Sequence, residues 1–169
     1  MNWEEKFSKE HPLNSKIEDT DVFLHGTSSK RYREIQSTGF LRREVPIRNY
    51  SISQKVICFE KYVEHGKRGD NADLIDRTIR GHCLNACRQD HSSEGVILKI
   101  NGRELKNLKC PIYADSNEPF VCIRDSEWIP VDVDYNANFL SIAITDCDIP
   151  FKYLEVFRIV PFKEEELLL

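Results

Sequence analysis

A histidine, a glycine, a threonine and a serine follow one another at His25-Gly26-Thr27-Ser28, directly after the apolar stretch Val22-Phe23-Leu24. Histidine and threonine side chains both make hydrogen bonds, one on each side of the glycine. Gly26 lets a backbone amide and carbonyl approach a flat ligand closely. Ser28 and Ser29 are favoured helix N-caps, so the tetrapeptide ends a strand and opens a helix. The N-terminus of that helix carries partial positive charge and suits a phosphate. Taken alone, a His-Gly-Thr tripeptide has low specificity, because a histidine at a strand end is more often a structural hydrogen-bond partner.

The residues that follow add charge of the matching sign. Lys30, Arg31, Arg33, Arg42, Arg43, Arg48 and Lys55 face only Glu34 and Glu44, a local balance of +5 on a chain whose net charge is −4. A basic field on an acidic protein fits a phosphate-bearing ligand; a solvated helix face is the plain alternative. The six cysteines stand at 58, 83, 87, 110, 122 and 147. Cys83 and Cys87 share a helical face with no second pair of ligands to complete a zinc site. Cys58, Cys110, Cys122 and Cys147 lie in or beside apolar runs and read as free thiols in the core. Farther on, Glu127, Asp132 and Asp134 are carboxylates close to one another in sequence, and Trp128 is a large apolar group in a charged loop, suited to a base, a protein acceptor or the core.

The elements that must position these residues can be read from periodicity and punctuation. Residues 1–20 are polar, with Trp3 and Phe7 able to pin a short helix that Pro12 ends. A first strand covers 21–25 and a helix 29–38, stopped by Gly39. Lys55–Phe59 is a second strand, and Asp70 or Asn71 caps a helix over 72–89 with Ala72, Ile75, Ile79, Cys83 and Ala86 on one face. Gly95–Ile100 is a third strand, Asn101-Gly102 a turn before a short helix, and 109–123 strand and loop pieces. Phe139–Thr145 is a strong strand, Asp148-Ile149-Pro150 breaks it, and Tyr153–Val160 is the last. The order is α+β. The length of 169 residues suits one domain with its own core. No apolar stretch is long enough for a membrane span.

The whole pattern is more specific than its parts. Leu24-His25-Gly26-Thr27-Ser28, the helix to Ile35, and Gly39-Phe40-Leu41 resemble the first motif of ADP-ribosyltransferases of the poly-ADP-ribose polymerase type. They also resemble the DarT-type DNA ADP-ribosyltransferases and the RNA 2′-phosphotransferases. Asn138-Phe139-Leu140-Ser141-Ile142-Ala143-Ile144, followed by Ile149-Pro150-Phe151-Lys152-Tyr153-Leu154, resembles the last catalytic strand of that clan with its proline turn and closing strand. Between 60 and 135 only the order of elements is similar.

The resemblance implies a single-domain, split β-sheet ADP-ribosyltransferase-like fold with flanking helices over 21–163, after an extension at 1–20 and before a tail at 164–169. It implies NAD as substrate, held by His25 and Gly26 at the adenosine ribose and the nicotinamide amide. Thr27 and Ser28 lie beside them, Phe59 or Tyr62 stacks on nicotinamide, and Arg31, Arg42, Arg43 or Arg48 contacts the phosphates. The plain alternative makes Phe59 core and Tyr62 the start of a loop, and for Phe59 the core is the favoured reading. The clan normally has a glutamate at the start of the last catalytic strand, where it stabilises positive charge as the glycosidic bond breaks. That position falls on Asn138, which cannot supply negative charge; Glu127, Asp132 and Asp134 upstream are the replacement carboxylates. The implied activity is mono-ADP-ribosyl transfer to a protein or nucleic-acid acceptor. The alternatives are an NAD- or ADP-ribose-binding module without strong catalysis, an RNA 2′-phosphotransferase (Pro111–Asn117 resembles that family faintly), or an unrelated α+β scaffold. RNA 2′-phosphotransfer needs several arginines and usually a preceding winged-helix domain, for which 20 residues are too few. The start at Met1-Asn2-Trp3 lacks a basic and apolar leader, and with thiols read as free the expectation is a cytoplasmic protein. A partner or inhibitor protein is compatible with the reading, a membrane partner and a metal are not.

Overall fold

Alternation of side chains along Val22–Ser28 sets the framework. Phe23 and Leu24 are both fully buried yet point to opposite faces, so this strand is covered on both sides. The computed structural model describes residues 12–44, 55–62, 74–115, 120–124, 127–130, 135 and 140–168. The side chains of 74–76 and 120–130 lie outside that description.

In chain order the strands are β1 (Val22–Ser28), β2 (Phe40–Leu41), β3 (Ile57–Tyr62), β4 (Glu94–Asn101), β5 (Ile112–Ala114), β6 (Phe120–Arg124), β7 (Glu127–Pro130), β8 (Ser141–Ile144), β9 (Ile149–Pro150) and β10 (Glu155–Pro161). The helices are α1 (Ser29–Thr38), α2 (Arg80–Asp90), α3 (Gly102–Asn107) and α4 (Glu164–Leu167). Six strands form one sheet in the order β10-β4-β1-β3-β8-β5, and every pairing in it is antiparallel. Two small ribbons, β2 with β9 and β6 with β7, complete an α+β fold. On one face of the sheet Phe23, Ile57, Phe59, Val96, Leu98, Ile100 and Ile142 pack with Ile35 of α1 and Leu105 of α3. On the other, Leu24 and Ile97 pack with Ile79, Cys83 and Cys87 at α2, and with Val160 and Phe162. Among the described residues no helix is long and apolar enough to cross a membrane.

Local chemistry explains the helix ends. Ser28 Oγ accepts the Arg31 amide at 3.1 Å and starts α1. Gly39 stops it in the left-handed region, at φ 83°, with its amide donating to the Ile35 carbonyl at 2.8 Å. Asn101 caps α3 by accepting the Glu104 amide at 2.9 Å.

Several expectations need correction. The helix expected over 72–89 is present from Leu74 on, with Ile79, Cys83 and Ala86 buried as expected, but it opens as a π-helical turn at Leu74–Ile79 before α2, and the caps proposed at Asp70 and Asn71 lie outside the described residues. The charged loop expected around Trp128 contains β7, which pairs with β6 as a hairpin. The strand expected at Phe139–Thr145 is shorter and begins at Ser141. Ile149-Pro150 does end the preceding run, but it also pairs with Phe40-Leu41. The tail at 164–169 contains α4, held where the Arg88 guanidinium donates to the Glu166 carbonyl at 2.6 Å and Arg80 meets the Glu166 carboxylate at 2.6 Å.

Cys110 and Cys147 are not free core thiols: they form a disulfide with their Cα atoms 6.5 Å apart. The cause is the pairing of β5 with β8. Ile112 lies opposite Ile144, so the residues just before one strand and just after the other meet. Cys83 and Cys87 are buried against β4, donating to the carbonyls of Val96 at 3.7 Å and Glu94 at 3.1 Å. Burial pushes their thiols up to about 12 and about 11, which keeps them protonated and inert. At the sheet edge, β10 breaks register with β4 between Val156 and Arg158 and leaves Val156 and Ile159 exposed.

Candidate functional site

The central strand has two neighbours that follow it for different distances. Along β4 it pairs throughout, from Val22 opposite Asn101 to Ser28 opposite Gly95. Along β3 the register covers only Val22 with Tyr62, Phe23 with Lys61 and Leu24 with Glu60. Beyond that point β3 continues on β8, with Ile57 opposite Ile144 and Glu60 opposite Ser141. The sheet therefore divides after Leu24, and the residue at the division is His25.

His25 spans the gap. Its Nδ1 lies 2.8 Å from the Cys58 carbonyl oxygen. A carbonyl only accepts, so Nδ1 carries the proton and Nε2 of the neutral ring is left as an acceptor. Burial holds the imidazole pKa below its usual value, and the Arg31 charge adds to this, against the opposing bond to Cys58. The ring sits 5.4 Å from that of Phe59, tilted by 53°. The side chain is half-buried, so the division holds a neutral, oriented imidazole.

Gly26 has a structural reason to be glycine. A Cβ there would stand 2.7 Å from the Ile79 carbonyl oxygen and 3.1 Å from the His82 Cβ, so the π-helical turn and α2 can lie on β1 only if position 26 has no side chain. Thr27 and Ser28 are buried. Ser28 Oγ caps α1 and also donates to the Asp90 carboxylate. The helix N-terminus expected to meet a phosphate thus already has a capping hydroxyl and a carboxylate beside it.

The arginines divide by engagement. Arg31 is half-buried on the first turn of α1, bonded to Glu44 at 3.1 Å and to Gln89 at 2.9 Å. Arg43 is committed to Asp148 at 3.1 Å and to the Thr145 carbonyl at 2.6 Å, where it ties the β2 segment to the end of β8. Arg42 is exposed, and Arg48 lies outside the described residues. Of the two aromatics, Phe59 is core, with 1% of its surface exposed. Tyr62 is half-buried opposite Val22, at the end of β3 where the strands are still joined, and meets the Phe157 ring edge-on at 5.5 Å.

Asn138, Asp132 and Asp134 lie outside the described residues, and of Glu127 only the strand placement in β7 is described. The strand that the resemblance would make catalytic is β8, Ser141–Ile144. Ser141 is bonded to a residue that sequence reasoning missed. Its Oγ lies 2.8 Å and 2.7 Å from the two carboxylate oxygens of Glu60. Only 8% of Glu60 is exposed. Burial pushes its carboxyl up to about 7, with the Ser141 bond opposing and nearby Asp115 reinforcing the shift. Asp115 is joined to the same strand through its amide, which donates to the Ser141 carbonyl at 2.7 Å, and its carboxylate accepts from Cys58 Sγ at 3.5 Å. A signal was present: one carboxylate interrupts the apolar run Val56-Ile57-Cys58-Phe59 in a strand with no exposed face.

On the opposite face, Lys61 is buried with its ammonium 3.8 Å from the Tyr135 ring centroid and 3.1 Å from the Tyr135 carbonyl. Tyr135 in turn donates to Asp21 at 2.5 Å. That network fixes the chain just ahead of β8 to the start of β1. On the Phe23 and Phe59 face of the sheet His25 can offer a hydroxyl-accepting imidazole; Glu60, on the Leu24 face, is a carboxylate able to exchange a proton near neutral pH. No protein-family model matches the chain, and no significant match is found among curated proteins or solved structures.

Proposed function

We propose that this protein is an NAD-dependent ADP-ribosyltransferase of the mono-transferring kind. The reading rests on one observation: the sheet divides immediately after Leu24, and the histidine of the first motif stands at the division with Nδ1 anchored and Nε2 presented as an acceptor. A split between strands gives a slot for a flat ring and its ribose. A neutral imidazole with a fixed tautomer is the group that would accept a ribose hydroxyl there. In this reading Nε2 holds the adenosine ribose, the backbone around Gly26 meets the nicotinamide amide, and Arg31 is the basic group nearest the pyrophosphate. The acceptor is a protein or nucleic acid, and transfer to water is the side reaction.

A second reading follows from Asn138, on which the resemblance puts the position of the clan's glutamate: with an amide there, the pocket would bind NAD or ADP-ribose without strong transfer. Binding separates both readings from an unrelated scaffold. Wild type should bind NAD in calorimetry, and His25→Ala should weaken it by about 1–3 kcal/mol through an unpaired ribose hydroxyl. Equal affinity in a folded variant removes His25 from the site. A wild type without NAD affinity removes both readings.

A further inference from the structure

We propose that the Cys110–Cys147 disulfide is a reversible redox latch: closed, it holds the loop 145–148 in its grip on Arg43, and opened by a small thiol such as glutathione it lets that grip go. The inference goes beyond the reading above and does not depend on it. Cys147 lies inside the connection from β8 to β9. Thr145 and Asp148, on either side of it, are the residues that hold Arg43. The Arg43 amide and Nε donate to Asp148 Oδ1 at 3.0 Å and 3.1 Å, and the guanidinium also donates to the Thr145 carbonyl at 2.6 Å. Cys110 comes from the segment ahead of β5, where Asn14 donates to its carbonyl at 2.8 Å. The disulfide therefore ties the loop that grips Arg43 to the edge of the sheet. The edge strand β5 meets β8 only over Ile112–Ala114, a short contact that the cross-link extends.

Access and position both favour exchange at this pair. Cys110 and Cys147 are each only half-buried, and disulfides open to solvent are the ones that exchange readily. Cys83 and Cys87 are buried beneath α2 and offer no competing thiolate. In the opening step a thiolate of the reductant attacks one sulfur of the pair and forms a mixed disulfide. The electron pair of the broken S–S bond leaves on the other cysteine, which takes up a proton. A second thiolate then attacks the reductant's own sulfur in the mixed disulfide and frees the remaining cysteine, which is protonated in turn. Two electrons and two protons pass from two glutathione molecules, which leave as their disulfide. What the latch holds leads inward. Arg43 is followed by Glu44, whose amide and carbonyl pair with Val56 at 3.0 Å and 2.9 Å. Val56 runs directly into β3, where the Cys58 carbonyl anchors His25 Nδ1 at 2.8 Å. The cross-link therefore bears, through Arg43 and the Glu44–Val56 bridge, on the entry to the strand that orients the imidazole.

The test uses the full chain in glutathione buffers of rising reduced-to-oxidised ratio. Alkylation at 110 and 147 is read by peptide mass, fold by circular dichroism, and exchange with water by NMR. At a ratio of about 100:1 both cysteines are expected to be alkylated in folded protein, and oxidised glutathione should close the pair again. In the open form the Arg43 amide and Nε–H, and the Glu44 and Val56 amides, are expected to exchange at least about tenfold faster than in the closed form. Cys147→Ser should match reduced wild type in the same readout without any reductant. A cycle with Arg43→Ala separates a grip on Arg43 from a general effect on the unfolded chain. That substitution is expected to raise the unfolding constant about tenfold with the pair closed and less than about threefold with it open. A pair never found closed, one that stays closed at the reducing ratio, or one whose opening unfolds the chain overturns the latch. So does opening that leaves the Arg43 hydrogens protected, or an equal cost of Arg43→Ala in the two forms. Absence of NAD binding removes the transferase reading and leaves the latch standing.

Discussion

Glu60 and His25 are both buried titratable groups, and they give stability opposite dependences on pH. The Glu60 carboxyl stands at about 7 in the folded chain against an ordinary 4.5. Between those values the folded protein holds a proton that the unfolded chain has lost. The contribution is therefore fully present below about 4.5 and lost as pH rises through about 7, a loss of up to about 3 kcal/mol. His25 is shifted down, so the folded state resists its protonation and stability falls as pH drops below the ordinary histidine range. Urea unfolding at pH 5 and pH 8 on wild type and Glu60→Gln separates the two. The variant is expected to be relatively more stable at pH 8 than at pH 5, and parallel behaviour of both proteins means that Glu60 is ionised in the folded state. At this scale the sequence was only partly legible. His25 could be singled out because its neighbours form a motif. Glu60 gave a weaker signal, a carboxylate directly after an apolar run, and its partner lies 81 positions away on a strand paired with its own. Gly26 was legible as a glycine that something must approach closely, but the approaching group in the structure is the Ile79 carbonyl.

Elements were read well where local chemistry ends them. The helix at Ser29–Thr38 has both its serine cap and its glycine stop within a dozen residues, so its limits followed from the chain itself. The hairpin of Phe120–Arg124 with Glu127–Pro130 followed only in part: strand pieces were expected up to 123, but the charged residues after it and Pro130 suggest a loop where the second strand lies. The disulfide was illegible for a different reason. It depends on the alignment of β5 with β8, and cysteine spacing alone cannot specify a connectivity. Its effect can be measured. The cross-link joins residues separated by 37 positions, and the loss of unfolded-state entropy on closing such a loop is worth roughly 4 kcal/mol before any native-state cost. Cys147→Ser, or wild type with reductant, should melt about 8–16 °C lower than oxidised wild type on that figure. Identical melting with and without reductant means that the pair is not formed in solution.

For the molecule as a whole, the unequal distribution of charge bears on the proposed nucleic-acid acceptor. The chain carries −4 overall and repels polyanions at long range, while the segment from 28 to 55 is locally basic. Arg43 is held by Asp148, and Arg31 is shared between Glu44 and Gln89. Part of that field is thus already neutralised within the fold. A nucleic-acid acceptor should bind with affinity that falls steeply as salt is raised from about 50 to 200 mM, since each phosphate neutralised releases counterions. Fluorescence anisotropy with single-stranded DNA and RNA reads this directly; weak binding at every salt concentration assigns the basic segment to a small phosphate or to solvent. The same view of the whole returns to the open side of β10. A strand with exposed Val156 and Ile159 at the end of a sheet is a template on which a second chain could grow fibrils. The register break between Val156 and Arg158 bends that template, and Pro161 removes one of its donors. An irregularity of one residue in the last strand thus works against pairing of a second chain on this edge.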